Sequence, residues 1–276
     1  MHSNNHVTHF LDDTFLQVVL LLPLMLVLFL YLLAVSLLKF RKKTWPLNRT
    51  FFFVLAIFCA VAAVSGPLAM RAHQDFTAHM LSHLLLGMLA PLLMVLAAPM
   101  TIILRTLNVN AARRLVTFLK KRYFLFLSDP VVASLINVGG LWVLYTSDLY
   151  MAMHKHTLVY VAVHLHVFLG GYVFTSALVY IDPISHRRSF IYRGIVMVAA
   201  LAGHGILSKY IYAHPPAGVP ASQAESGSLL MYYGGDVIEL ILVVIFCYQW
   251  YKENSPIGKP LRAKTEAWLH LCVKKV

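Results

Sequence analysis

Acidic residues are scarce in this chain: 11 Asp and Glu stand among 276 residues, against 23 Lys and Arg. Charge of both signs together amounts to 12% of the sequence, about half the share a soluble domain carries, while 59% is hydrophobic. That balance excludes an ordinary soluble protein. It also excludes disorder, which needs few apolar residues and much charge. Cysteine is equally sparse, at three (Cys59, Cys247 and Cys272), with no C-x-x-C and no pair placed for a disulfide. A thiolate metallochaperone of the soluble kind is thereby excluded. There is no H-E-x-x-H, no Gly-rich phosphate loop and no hydrolytic triad, so no enzymatic role is expected.

What the chain does have is long apolar runs. A helix needs about 20 mostly apolar residues to cross a bilayer, and seven stretches qualify: 14–38, 51–70, 77–104, 131–150, 157–180, 190–212 and 229–251. The fold class is therefore all-α: one polytopic membrane domain over 1–276, with seven transmembrane helices and short loops. The first run is too long for a signal peptide and has no basic segment before it. Pro91 and Pro99 predict a kink in the third, and Asn137 with Gly139-Gly140 makes the fourth the weakest. Residues 110–127 and the 252–276 tail (261–276 above all) mix basic and apolar residues as interfacial helices do. The stretch 213–228 reads as a mobile loop.

The net charge of +12 is explained by topology. Lys and Arg gather after the first and third runs, between the fifth and sixth, and in the tail. Only Arg71, Lys155 and Lys209 fall on the opposite side. The positive-inside rule then places the N-terminus outside and the C-terminus in the cytoplasm. A nucleic-acid partner is not needed; the bilayer is the partner.

The 14 histidines show the reverse asymmetry. Only His186 and His270 fall on the basic side; His2, His6 and His9 precede the first run. His79 and His83, at i and i+4, share one helix face and are able to share one metal. At 1.5 Å rise per residue, His83, His164, His204 and Asp236 lie about 9–12 Å from the outer ends of four different helices. Ionisable groups at that depth are costly and are usually functional, or else bond neighbouring helices together. His166 lies about 200° around the helix from His164 and is expected to point elsewhere. The candidate metal ligands are His79, His83, His164, His204 and Asp236. Secondary relay candidates are Met80, Met151, Met153, His154, His156, His73, His214 and Glu239. Imidazole suits copper among other metals and thioether selects Cu(I), so the pattern points to copper, as Cu(I) or Cu(II); Met70 also lies on that side. Bis-histidine haem is the alternative cofactor; an ion pathway through Asp236 and Glu239 is another.

The stretch HMLSHLLLGMLAPLLMVLAAPMTIILR at 79–105, with SDPVV at 128–132, a histidine-bearing fifth run, Tyr210–Pro215 and Asp236, resembles the CtaG family of assembly factors for caa-type cytochrome c oxidase. The resemblance covers the third run to the seventh. It implies a seven-helix protein of the bacterial plasma membrane that is needed to form active oxidase, and it connects the chain with copper supply to the haem–copper centre. By that likeness His79, His83 and Asp236 carry over as site residues. The oxidase subunit holding the copper centre is the implied partner, and an outer-side copper chaperone is a further candidate. A copper transporter with the same site, and a homo-oligomer, stay open.

Overall fold

In a computed structural model of the chain, the backbone is described for residues 3–183 and 187–255 and the side chains from residue 17 onward. His2, His186, His270 and the tail beyond 255 lie outside the described residues, as do the side chains of His6 and His9. Helix is the only regular structure among those described.

Six helices are long and apolar enough to span a membrane, and a seventh span arises if a bent pair is counted as one. Helix α1 (Ser3–Phe40) is the most apolar, with mean hydropathy 3.0 over Gln17–Phe40, yet only 6% of that stretch is covered by protein. It lies at the rim. Helix α2 (Leu47–Val64) joins it through the Tyr31 ring stacked on Phe53 at 3.7 Å. A short α3 (Gly66–Ala72) leads to α4 (Phe76–His83), capped by the Asp75 carboxylate, which accepts from the Thr77 amide.

The span Phe76–Leu96 is 72% covered and forms the centre of the bundle. It is not one regular helix. After α4 the backbone widens into a π turn over Leu84–Leu89, then resumes as α5 (Ala90–Leu96). Pro91 has no amide hydrogen to give, and a widened turn is one way to absorb that gap. Gly171 lies against this turn so closely that a Cβ there would meet the Gly87 carbonyl oxygen at 2.0 Å. The expected kink at Pro99 is a full break: Ala98 takes a left-handed φ of 53°, and α6 (Pro99–Thr106) starts anew.

Two amphipathic helices follow, α7 (Val109–Leu119) and α8 (Arg122–Leu127), neither with a buried residue. The fourth run, the weakest by composition, is interrupted: α9 (Pro130–Ser134), a second π turn at the Asn137 and Gly139 positions (Leu135–Gly139), α10 (Gly140–Thr146) and α11 (Leu149–Lys155), with a 78° bend before α11 that the composition did not announce. Helices α12 (Thr157–Leu178) and α13 (Phe190–Ala213) are regular. Of the stretch 213–228 read as a loop, 214–220 is non-helical, while helix α14 (Ala221–Asn254) corrects the reading for 221–228. It starts at Ala221, because ASQAE contains good helix formers behind Pro220 at the cap. Gln223 then ties this extension to the centre, its side-chain oxygen accepting from the Phe76 amide at 3.0 Å.

The two ends of the bundle differ in chemistry, one carrying the histidines and the other the basic residues. At the basic end Arg193 is 2% exposed. Its guanidinium lies over Tyr180, Phe190 and Phe246 at 4.0, 4.1 and 5.3 Å and donates to the Leu178 carbonyl. Nearby, the Asp182 carboxylate accepts from the amides of Met100 and Thr101 and from the Thr101 hydroxyl, at 3.0, 2.7 and 2.6 Å. It caps the helix that the break at Ala98 exposed. Asp129 pairs with Arg188 at 2.7 Å and accepts from the Tyr192 hydroxyl.

Candidate functional site

His83 ends α4 where the π turn begins, facing inward in the central span. It is 5% exposed, and neither ring nitrogen has a hydrogen-bond partner. Buried polar atoms are nearly always satisfied, so two open nitrogens on one ring are unusual. Room for the ring comes from Gly87, one turn on, where a Cβ would meet the ring carbon Cε1 at 3.3 Å.

His204 of α13 faces His83 with ring centres 6.3 Å apart. Its Nδ1–H donates to the Glu239 carboxylate at 2.9 Å, and its Nε2 has no partner. The YYGGDVIEL stretch explains how this arises. A Cβ at Gly235 would meet His204 Cε1 at 2.7 Å, so the missing side chain admits the ring. Glu239, four residues on and on the same face, then takes the ring hydrogen. Gly234 likewise makes room for Leu84, where a Cβ would stand 2.6 Å from Cδ1. A carboxylate behind an imidazole fixes the tautomer and leaves the far nitrogen as a lone-pair donor, as is common behind metal-ligating histidines. An ion bonded in line to one nitrogen of each of two imidazoles sets ring centres about 6–6.5 Å apart.

The other two buried histidines approach from the histidine end. His164 Nδ1–H donates to the Tyr160 carbonyl at 2.9 Å, which again turns Nε2 away. His79 Nε2 shares a hydrogen bond with the Tyr145 hydroxyl at 3.1 Å. His79, His83, His164 and Tyr145 line a cavity of about 20 Å³; His83, His204, Glu239, Asn137 and Thr175 line a second of about 40 Å³. His83 belongs to both. Both π turns border the second, which Gly87 and Val138 also line. Among the described residues no three His, Cys, Asp or Glu are grouped tightly enough to hold one ion. The arrangement is one of pairs, with His83 as the shared member.

Above these lies a hollow of about 220 Å³ lined by His73, Met151, His154 and Gln223. A sequence of ring contacts descends from it. His73 meets His154 at 6.2 Å and Tyr160 at 5.1 Å; Tyr160 meets His164 at 4.0 Å; Tyr150 meets His154 at 4.7 Å and His79 at 5.2 Å.

The remaining candidates stand apart. Asp236 is on the exposed face of α14, and Glu239 occupies the position beside His204 that the depth argument had given to Asp236. Met80 and Met153 are core residues at 0% and 2% exposure. His156 and His214 are exposed, the latter stacked on Tyr210 at 4.6 Å. His166 does point elsewhere, to the Ile136 carbonyl at 3.1 Å. Sequence reasoning missed the tyrosines. Tyr145, Tyr150 and Tyr160 build the walls between the histidines, and the i, i+4 spacing of Tyr150 to His154 and of Tyr160 to His164 was the available signal for two of them.

The comparisons agree with this architecture. A model of the cytochrome c oxidase caa3 assembly factor family (Caa3_CtaG) matches residues 29–253, and the chain belongs to that family. Uncharacterised proteins of Mycobacterium bovis and Mycobacterium tuberculosis are each 28% identical over 176 residues, covering 60% of this chain and 26% of theirs. One from Mycobacterium leprae is 27% identical over 169 residues, covering 59% of this chain and 26% of its own. The matched part thus spans about a quarter of those relatives. No solved structure matches.

Proposed function

We propose that this protein assists assembly of a cytochrome c oxidase by holding a copper ion between His83 and His204 and passing it to the oxidase subunit that carries the copper centre. Family membership supports the assembly role. The copper reading rests on one observation: the ring of His83, with both nitrogens partnerless, lies 6.3 Å centre to centre from the ring of His204, whose Nε2 is open and whose Nδ1 is held by Glu239. Two imidazoles at that separation suit Cu(I), which accepts low coordination and nitrogen or thioether donors. His79 and His164 form the approach, and the His73–Met151–His154 hollow receives the ion from solvent or from a copper chaperone. The role is custody and transfer of an ion, with no bond-making step. In this reading the histidine end faces outward and the basic end faces the cytoplasm of a bacterial plasma membrane, an orientation that the distribution of Lys and Arg supports. Cavities of about 20 and 40 Å³ support an ion over a haem macrocycle.

The test is metal analysis of protein purified and loaded with Cu(I) under reducing conditions. Wild type is expected to retain about one copper per chain. His83→Ala and His204→Ala are each expected to lose it, and cells carrying either variant are expected to assemble less active oxidase. Wild type without copper, or a His83→Ala/His204→Ala protein with undiminished copper, overturns the reading.

A further inference from the structure

The exposed carboxylate of Asp236 has no account in the copper site. Helix α14 has 34 residues, or about 51 Å at 1.5 Å per residue. Asp236 stands about 22 Å from its start. A hydrocarbon core is about 30 Å thick. Wherever a core of that thickness is placed along the helix, Asp236 falls inside it. Its side chain nevertheless faces outward from the bundle, and it forms no ion pair among the described residues. A charged group turned towards lipid at that depth is costly, and such groups almost always face protein or water.

A base stands on the same face. Lys209 of the neighbouring helix α13 is exposed, with its ammonium 5.1 Å from the Tyr232 ring centre. Tyr232 precedes Asp236 by four residues, so the two charges lie about one helical turn apart along the α13–α14 seam. The surface around them is apolar: Ile206 on α13, and Tyr233, Val237 and Leu240 on α14, are each more than half exposed.

We infer that this face binds a second copy of the chain, about a two-fold axis along the bilayer normal, with Asp236 of each copy paired to Lys209 of the other, whose four-carbon stem reaches along the one helical turn of height that such a rotation leaves between the two charges. The patch carries one acid and one base, so it is complementary to itself, and a two-fold operation makes both pairs at once. Both charges then leave the lipid together. Ala202, exposed on the same stripe of α13 one turn from Ile206, allows the helices to approach. The inference is independent of copper.

Charge exchange between copies tests it. Wild type in lipid nanodiscs or mild detergent is expected to sediment as a dimer. Lys209→Asp alone presents two acids per copy and Asp236→Lys alone two bases, so each is expected to be monomeric. Co-expressed with different affinity tags, the two single variants are expected to co-purify as a mixed dimer, because each chain then supplies the charge its partner lacks. Helical circular dichroism of each variant, with Asp236→Asn as a milder change expected to weaken the dimer at least tenfold, separates lost pairing from lost folding. A monomeric wild type, single variants that dimerise as well as wild type, or folded single variants that fail to co-purify overturns the inference.

Discussion

The two ends of the bundle bury polar groups in opposite ways. At the basic end nearly every buried or half-buried charge is engaged. Arg193 is enclosed by three rings and a carbonyl, with only its Nε lacking an acceptor; Asp182 caps α6; and Asp129 meets Arg188 and Tyr192. These contacts close the breaks that Pro99 and the α12–α13 turn leave in the chain. At the histidine end the rings are as well buried, but His83 keeps both nitrogens open and His204 keeps one. Burial with satisfaction is fastening. Burial without it costs stability and is explained when something else completes the bonds.

Substitutions at the two ends should therefore separate stability from binding. The largest effect is expected from His83→Leu. Copper retention should fall at least 100-fold, a loss of about 2.7 kcal/mol, while the thermal midpoint of the metal-free protein holds or rises, since open polar atoms have been removed. Arg193→Leu should do the reverse. It removes three ring contacts and a charged hydrogen bond, about 2–4 kcal/mol of stability, and leaves the copper stoichiometry of the folded fraction unchanged. Third, Glu239→Gln should weaken copper about 10–100-fold, as losing the group behind a ligating histidine does, with little change in helix content by circular dichroism. The smallest effect is expected from Asp182→Ala, about 1 kcal/mol in a denaturation series for the lost cap, again with copper binding intact. If His83→Leu and Arg193→Leu lose stability and copper in the same proportion, the contrast between the ends fails.

Much of this contrast can be read in the sequence, because it rests on composition and spacing. Apolar runs place the spans, Lys and Arg mark one end, and His79 and His83 at i, i+4 announce one face of the central helix. What the sequence hides is rotation. Asp236 and Glu239 differ by three residues, about 300° around a helix, and hydropathy does not say which of them turns inward. The answer was in Gly235: a residue without a Cβ marks where another side chain must enter, and Glu239 is one turn beyond it on that face. The interruptions were legible only in part. Pro99 foretells a break and Pro91 a distortion, but the sequence does not say that the distortion takes the form of a π turn at Leu84–Leu89, nor that the chain bends by 78° before α11. The tyrosine walls escaped because Tyr in an apolar run reads as filler until its partner is seen.

The most direct test of the central claim is X-ray absorption at the copper edge of the loaded protein, compared with Glu239→Gln and His204→Ala. The account predicts a first shell of two nitrogen donors with imidazole outer-shell scattering in wild type. The same shell is expected in the copper that Glu239→Gln retains, and one imidazole fewer, or no copper, in His204→Ala. A sulfur-dominated first shell, or an identical spectrum and copper content in wild type and His204→Ala, would contradict it.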